Sequence, residues 1–205
     1  MRPPPTPLRI GAVLFQGFEL LDLYGPLEIL GTLEERVTLT TLAEKTGPVP
    51  SHQGPQGWAD ATLDDPAAYD LLVIPGGMGT RREVNNPAFI KALGLHISRA
   101  RWVASICTGS ALLAKTGLLD GHRATSNKAA LDWVRSQGPR VHWQNRARWV
   151  EDGRFFTSSG VSAGMDMALA LITRLYGEAT SQAIANRAEY VWNKDPDNDP
   201  FARLP

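Results

Sequence analysis

Apolar positions in this chain fall into short unbroken runs, separated by stretches where they recur every three or four residues. The run Ile10-Gly11-Ala12-Val13-Leu14-Phe15 predicts a strand buried on both faces. From Glu19 to about Leu33 the spacing turns helical, and Gly25-Pro26 predicts a break there, with one helix ending and a second starting. Val37 to Ala43 alternates apolar residues with threonine and predicts a second strand, followed by a Pro- and Gly-rich loop from Gly47 to Gly57. Asp70–Ile74 and Trp102–Ile106 are further buried strands, with a helix over Pro87–Ala100 between them. A helix over Ser110–Thr116, a short strand at Arg123–Ser126 and a helix over Lys128–Gln137 follow. Val141–Trp143 and Arg148–Thr157 read as strands, the latter folded into a hairpin at Glu151-Asp152-Gly153. Two helices, Ser162–Tyr176 and Glu178–Trp192, meet at Gly177.

Strands alternating with helices mean βαβ units, hence an α/β fold with a mostly parallel sheet covered on both faces. At 205 residues the chain suits one domain, expected from residue 9 to residue 205. The four prolines within residues 1–8 predict a disordered tail ahead of it. Lysine plus arginine balances aspartate plus glutamate at 21 each, so no net field favours nucleic acid or an anionic membrane. No run of about 18 apolar residues could span a bilayer, the N-terminus lacks a signal-peptide core, and a lone cysteine excludes an internal disulfide. A cytoplasmic location is the expectation.

That cysteine, Cys107, carries the sharpest chemical signal. It stands between a buried strand and the helix start Thr108-Gly109-Ser110, the arrangement of a nucleophile elbow, in which a tight turn lifts a side chain clear of the sheet. The helix N-terminus is expected to favour the thiolate and lower its pKa. A buried structural thiol is the alternative. A second strand end, Ile74-Pro75-Gly76-Gly77, lets backbone approach a ligand. The N–H groups of Gly77 and Thr108 are the expected oxyanion donors. Asp22, set among leucines in Leu20-Leu21-Asp22-Leu23, is a carboxylate whose burial would raise its pKa and let it carry a proton.

Other residues point elsewhere less sharply. His52, His96, His122 and His142 have no metal-ligand spacing, so neither a metal nor an organic cofactor is expected. Asp166, between two methionines, reads as a partly buried structural carboxylate. Arg140, Arg146, Arg148 and Arg154, interleaved with Trp143 and Trp149, read as the solvated side of the hairpin region rather than a nucleic-acid face.

Taken in order, Ile10–Phe15, Leu21-Asp22-Leu23-Tyr24-Gly25-Pro26, Leu72–Gly77, Ser105–Ser110, Arg123-Ala124-Thr125-Ser126 and Thr157–Gly164 closely resemble the ThiJ/PfpI superfamily, relatives of class I glutamine amidotransferase domains. The resemblance covers about residues 8 to 192. It implies a flavodoxin-like three-layer sandwich, a homodimer, and a cysteine nucleophile at the elbow. Within the superfamily the Asp22 and Cys107 segments look most like the isocyanide hydratase branch and the amidotransferase-like domains of AraC-type regulators. Such regulators continue into a helix-turn-helix domain, for which Pro205 leaves no room, so no nucleic-acid partner is expected. PfpI-type peptidases have histidine directly after the cysteine, where this chain has Thr108. The glyoxalase and deglycase branch pairs its cysteine with glutamate and a nearby histidine; here Asp22 and Asn127 stand instead. The implied activity is hydration of a small isocyanide through Cys107 and Asp22. The alternatives are reversible oxidation of Cys107 in a stress sensor and carbonyl detoxification.

Overall fold

The structure, a computed structural model, describes residues 7–202. Residues 1–6 of the expected tail lie outside the described residues. Leu8, expected to close that tail, is instead buried and opens the first strand. In chain order the elements are β1 Leu8–Val13, α1 Leu20–Gly31, β2 Val37–Ala43, β3 Gly47–Pro50, β4 Gln56–Ala59, β5 Ala61–Thr62 and β6 Leu71–Ile74. They continue with α2 Thr80–Glu83, α3 Pro87–Arg99, β7 Trp102–Ile106, α4 Gly109–Lys115, β8 Arg123–Ala124, α5 Leu131–Gln137 and β9 His142–Trp143. Strands β10 Trp149–Asp152 and β11 Phe155–Ser158 follow, then helices α6 Ala163–Tyr176 and α7 Glu178–Arg187.

The central sheet has seven strands in the order β10-β11-β7-β6-β1-β2-β5. All neighbours are parallel except the β10–β11 hairpin at one edge. Helices α1, α6 and α7 pack on one another in one layer, and α2 to α5 form the other. This is the three-layer α/β sandwich expected. Strands β6 and β7 are buried at every position, which is why their sequences are continuous apolar runs rather than alternating ones. Phe18, Phe89 and Phe156 are the largest fully buried side chains.

Four local expectations are corrected. Pro26 does not break α1, which runs on through it. The proline removes the N–H that would reach the Asp22 carbonyl, but tertiary packing outweighs this loss. Gly25 and Pro26 lie against the start of α6, where a Cβ on Gly25 would stand 3.0 Å from Met165 Cγ and one on Gly164 3.1 Å from Pro26 Cγ. The segment 47–57 is not loop throughout but holds the antiparallel β3–β4 pair. Strand β8 spans only two residues, paired with β9, and Thr125 and Ser126 lead away from it. Helices α5 and α7 are shorter than expected, leaving Lys128 ahead of the first and residues 188–202 beyond the second.

Because β1 is followed by β2 on one side and β6 on the other, a crevice opens at the carboxyl ends of β1 and β6. Asp22, Gly76 and Cys107 all follow strands that end there.

Candidate active site

Cys107 follows β7 with no spacer and adopts φ 54°, a left-handed conformation that costs a non-glycine residue energy. Its surroundings hold it there. The Cys107 N–H donates to the carbonyls of Ser158 and Ser159, each at 3.2 Å, at the end of β11 and just past it. Its carbonyl accepts from Ser110 Oγ at 2.9 Å and Ser126 Oγ at 2.8 Å. Gly109 is required next, since a Cβ there would lie 2.3 Å from the Ile74 carbonyl. The side chain is buried, with the Thr108 and Val161 N–H groups donating to the sulfur. Val161 is itself a β-branched residue at φ 40°, so a second strained position serves the same sulfur.

Asp22, in the first turn of α1, has no exposed surface. Its Oδ2 accepts from the Gly76 N–H at 2.9 Å, and the Cys107 thiol donates to the carboxyl. Oδ1 has no hydrogen-bond partner among the described residues. Gly76 has no room for a side chain, because a Cβ would lie 2.6 Å from Thr108 N and 2.8 Å from Asp22 Oδ2. Four sequence-expected residues therefore meet here, but not all as expected. The Gly77 N–H does not face the sulfur: it donates to Thr108 Oγ1 at 3.0 Å. The N–H that joins Thr108 at the sulfur belongs to Val161.

The electrostatics correct a second expectation. Burial pushes the Cys107 thiol up rather than down, and the neighbouring Asp22 charge pushes it further, against the lowering effect of the Thr108 and Val161 N–H groups. Asp22 is raised to about 7, first by burial and then by Glu19, while the Gly76 N–H and the thiol work against the shift. Burial holds both groups protonated, and an ionised Asp22 further opposes loss of the thiol proton, so the two form one acid pair whose first ionisation, near neutrality, falls on the carboxyl.

Several contributors lie far along the chain, in the segments Arg123–Ser126 and Thr157–Gly164 that carry the family resemblance, but nothing in the sequence assigns these residues an individual role. Ser126 fixes the Cys107 carbonyl, and Ser159 and Val161 form the loop between β11 and α6. That loop lines a cleft of about 470 Å³, together with Asn127, Lys128, Ser162 and Phe201. Asn127 Oδ1 accepts from the Ala130 N–H, and a Cβ on Gly160 would collide with the Asn127 Nδ2. Lys128 Nζ donates to Thr125 Oγ1 at 2.8 Å and to the Ala147 carbonyl at 2.5 Å, and burial pulls its pKa down to about 8. His96 is buried on the Leu63 carbonyl and His122 stacks edge-on against Phe155; neither reaches the site.

Arg148 is not solvated. It is buried, donates from Nε to Asp166 Oδ2 at 2.7 Å, and lies 3.7 Å from Asp199 Oδ1. Asp166 is fully buried beneath it, more so than expected. Arg140 does lie on the surface, on Asp120, whereas Arg154 is tied down on the carbonyls of Ile97 and Ala100.

The DJ-1/PfpI family pattern matches residues 9–174, a stretch that contains Asp22, Cys107 and the loop holding Val161. This chain belongs to the DJ-1/PfpI family. Among its relatives, it is 34% identical to an isonitrile hydratase of Pseudomonas putida over 184 residues, covering 90% of this chain and 79% of that protein. It is 31% identical over 205 residues to the HTH-type transcriptional regulator GbdR of Pseudomonas aeruginosa, where the match covers 98% of this chain and 55% of the regulator. The crystal structure of a ThiJ/PfpI family protein from Pseudomonas syringae superposes with a TM-score of 0.85 at 27% identity, covering 94% of this chain and 79% of that one. Likeness within the DJ-1/PfpI family thus extends to an enzyme and to a regulator. No helix among the described residues is long and apolar enough to cross a membrane.

Proposed function

We propose that this DJ-1/PfpI protein hydrates isocyanides (isonitriles) to N-substituted formamides, with Cys107 as nucleophile and Asp22 as proton carrier. The observation that supports this most is the pairing of a fully buried carboxyl with the thiol at a strained elbow. The P. putida relative, named for the same reaction, agrees with it.

The first ionisation of the pair falls on Asp22 while sulfur keeps its proton, so attack proceeds from the tautomer in which the thiol has passed that proton to Asp22, leaving a thiolate under the Thr108 and Val161 N–H groups. The thiolate attacks the isocyanide carbon, forming the S–C bond, and Asp22 delivers its proton to that carbon to give a thioimidate. Water then adds to the same carbon, and one of its protons passes through the Asp22 carboxylate to nitrogen. The tetrahedral adduct collapses: the C–S electrons return to sulfur, the hydroxyl proton goes to Asp22, and the formamide leaves. Isocyanide plus water gives formamide, and the pair is restored. No histidine is needed, in keeping with Asn127, which has no titratable proton to offer.

Wild-type protein is expected to convert an aryl or alkyl isocyanide to its formamide, followed by loss of the isocyanide stretch in the infrared, and Cys107→Ala to abolish the conversion. An absence of formamide above background across an isocyanide panel would sink the proposal. The stress-sensor alternative is weaker, because oxidation favours accessible thiolates and Cys107 is buried with its thiol pushed up. Carbonyl detoxification lacks the glutamate and histidine of that branch.

We further propose a homodimer. Leu21 and Tyr24 on α1, Leu39 on β2 and Trp58 on β4 remain between 41% and 63% exposed, and a two-fold contact would cover such apolar surface. Sedimentation should give twice the 22.3 kDa chain mass; a single-chain mass at micromolar concentration would reject the dimer.

A further inference from the structure

After α7 the chain runs without regular structure back to the Cys107 end of the sheet, outside the stretch that the family match covers. Its path is held by buried polar contacts. Asp166 Oδ1 accepts from Tyr190 Oη and from the Asn193 N–H, each at 3.0 Å, and the Asp166 carbonyl accepts from Trp192 Nε1. The Pro196 carbonyl accepts from the Arg148 N–H, and the Asp199 N–H donates to the Arg146 carbonyl, both at 2.7 Å. Asp199 is 2% exposed, facing Arg148. Its Oδ1 also accepts from the Phe201 N–H at 2.9 Å.

This anchoring ends in a side chain that contributes little to the core. Phe201 is 72% exposed, yet it forms part of the wall of the cleft that Ser159 and Val161 share. Those two residues bond Cys107 directly, so the cleft that Phe201 helps to line lies against the backbone that holds the sulfur. A phenyl held open to solvent by a buried carboxylate–guanidinium pair has an unsatisfied apolar face, and a ligand's apolar group is the occupant that this cleft can receive.

We propose that the segment Pro196–Ala202 is the outer wall of the substrate cleft and that Phe201 is its specificity-determining residue, favouring substrates that carry an aryl or branched alkyl group on the atom next to the reacting carbon, the nitrogen in an isocyanide. This rests on the reading above only in taking the cleft as the route to Cys107. The cleft is lined also by Asn127, Ser162, Ala129 and Val161, and Phe201 is the one aromatic side chain among these residues. Selection therefore acts through binding of the substituent and not through the chemical step.

Because the chain has one cysteine, alkylation reports on Cys107 alone. The test compares iodoacetamide with its N-phenyl derivative on wild type, Phe201→Ala and Phe201→Leu. Wild type is expected to favour the N-phenyl reagent. Phe201→Ala should lower the ratio of the two rate constants by about tenfold, the scale of one lost aromatic contact with its buried area. Phe201→Leu should recover part of the ratio, and the iodoacetamide rate should stay within about twofold throughout. A ratio unchanged in Phe201→Ala, or a wild type without preference, would overturn the assignment. Alkylation needs no turnover, so a protein that failed to hydrate isocyanides would still decide the role of Phe201.

Discussion

Asp22→Asn is expected to give a protein that is slower by on the order of 10²-fold or more in isocyanide turnover and yet more stable than wild type above neutral pH. Asparagine can still accept from the Gly76 N–H, so the geometry survives while the proton carrier is lost. The stability gain has a definite sign. In the unfolded chain the carboxyl titrates near 3.8, and in the fold it is raised to about 7, chiefly by burial. A raised carboxyl favours the fold only while protonated; this contribution is complete below about pH 3.8 and lost as pH rises through 7. Above that, wild type carries a penalty on the order of 4 kcal/mol, which asparagine does not. Urea unfolding should therefore show the two proteins alike near pH 4 and well separated near pH 8. Thiol alkylation gives the companion readout. In wild type it should rise through about pH 7, as the pair passes from neutral to singly charged, and Asp22→Asn should lose that inflection. Equal stability at both pH values together with an unchanged alkylation profile would refute the paired-proton account.

Arg148→Met should destabilise the fold by about 3–5 kcal/mol, the scale of an ion cluster stripped of its cation. The methionine fills similar volume, but Asp166 and Asp199, both buried, lose their guanidinium. Asp166 keeps only the Tyr190 and Asn193 donors on Oδ1 and the burial that pushes its pKa upward. Adding Asp166→Asn and Asp199→Asn to Arg148→Met should recover most of the loss, because the cost lies in unpaired charge rather than in missing packing. Denaturant titration of the single and triple variants measures both. A loss below about 1 kcal/mol in the single variant would mean that water reaches these carboxylates.

The parallel core was legible because strands buried on both faces leave unbroken apolar runs such as Leu71-Leu72-Val73-Ile74. Cys107 was legible for a related reason: a buried strand that meets Thr-Gly-Ser without a spacer has to turn sharply. Asp22 stood out as a charge among leucines. What failed to show was decided by neighbours remote in the chain. Pro26 reads locally as a break, and only the seat of α1 on Gly164 and Met165 keeps the helix whole. Arg148 looks like one more surface arginine until the carboxylates of α6 and the last segment close over it. A helix start after Cys107 suggests an acidic thiol, but burial and the Asp22 charge outweigh it, and neither can be seen in a single segment. Val161 gave no signal, since a backbone N–H leaves no mark on residue identity.

The hydrogen bond from Gly76 to Asp22 joins residues 54 apart in the chain, and that from Gly77 to Thr108 joins residues 31 apart. The Cys107 N–H waits on Ser158 and Ser159, which are made later than β7, the first ending the strand that slots in beside it and the second following that strand. Until β11 is made, β7 therefore stands as an open edge, and its cysteine lacks the two carbonyls that hold its N–H, although Asp22 and Gly76 already precede it in the chain. The strained seat of Cys107 is complete only once β11 and the loop after it are in place. A half-made chain carries the nucleophile but not the backbone that seats it.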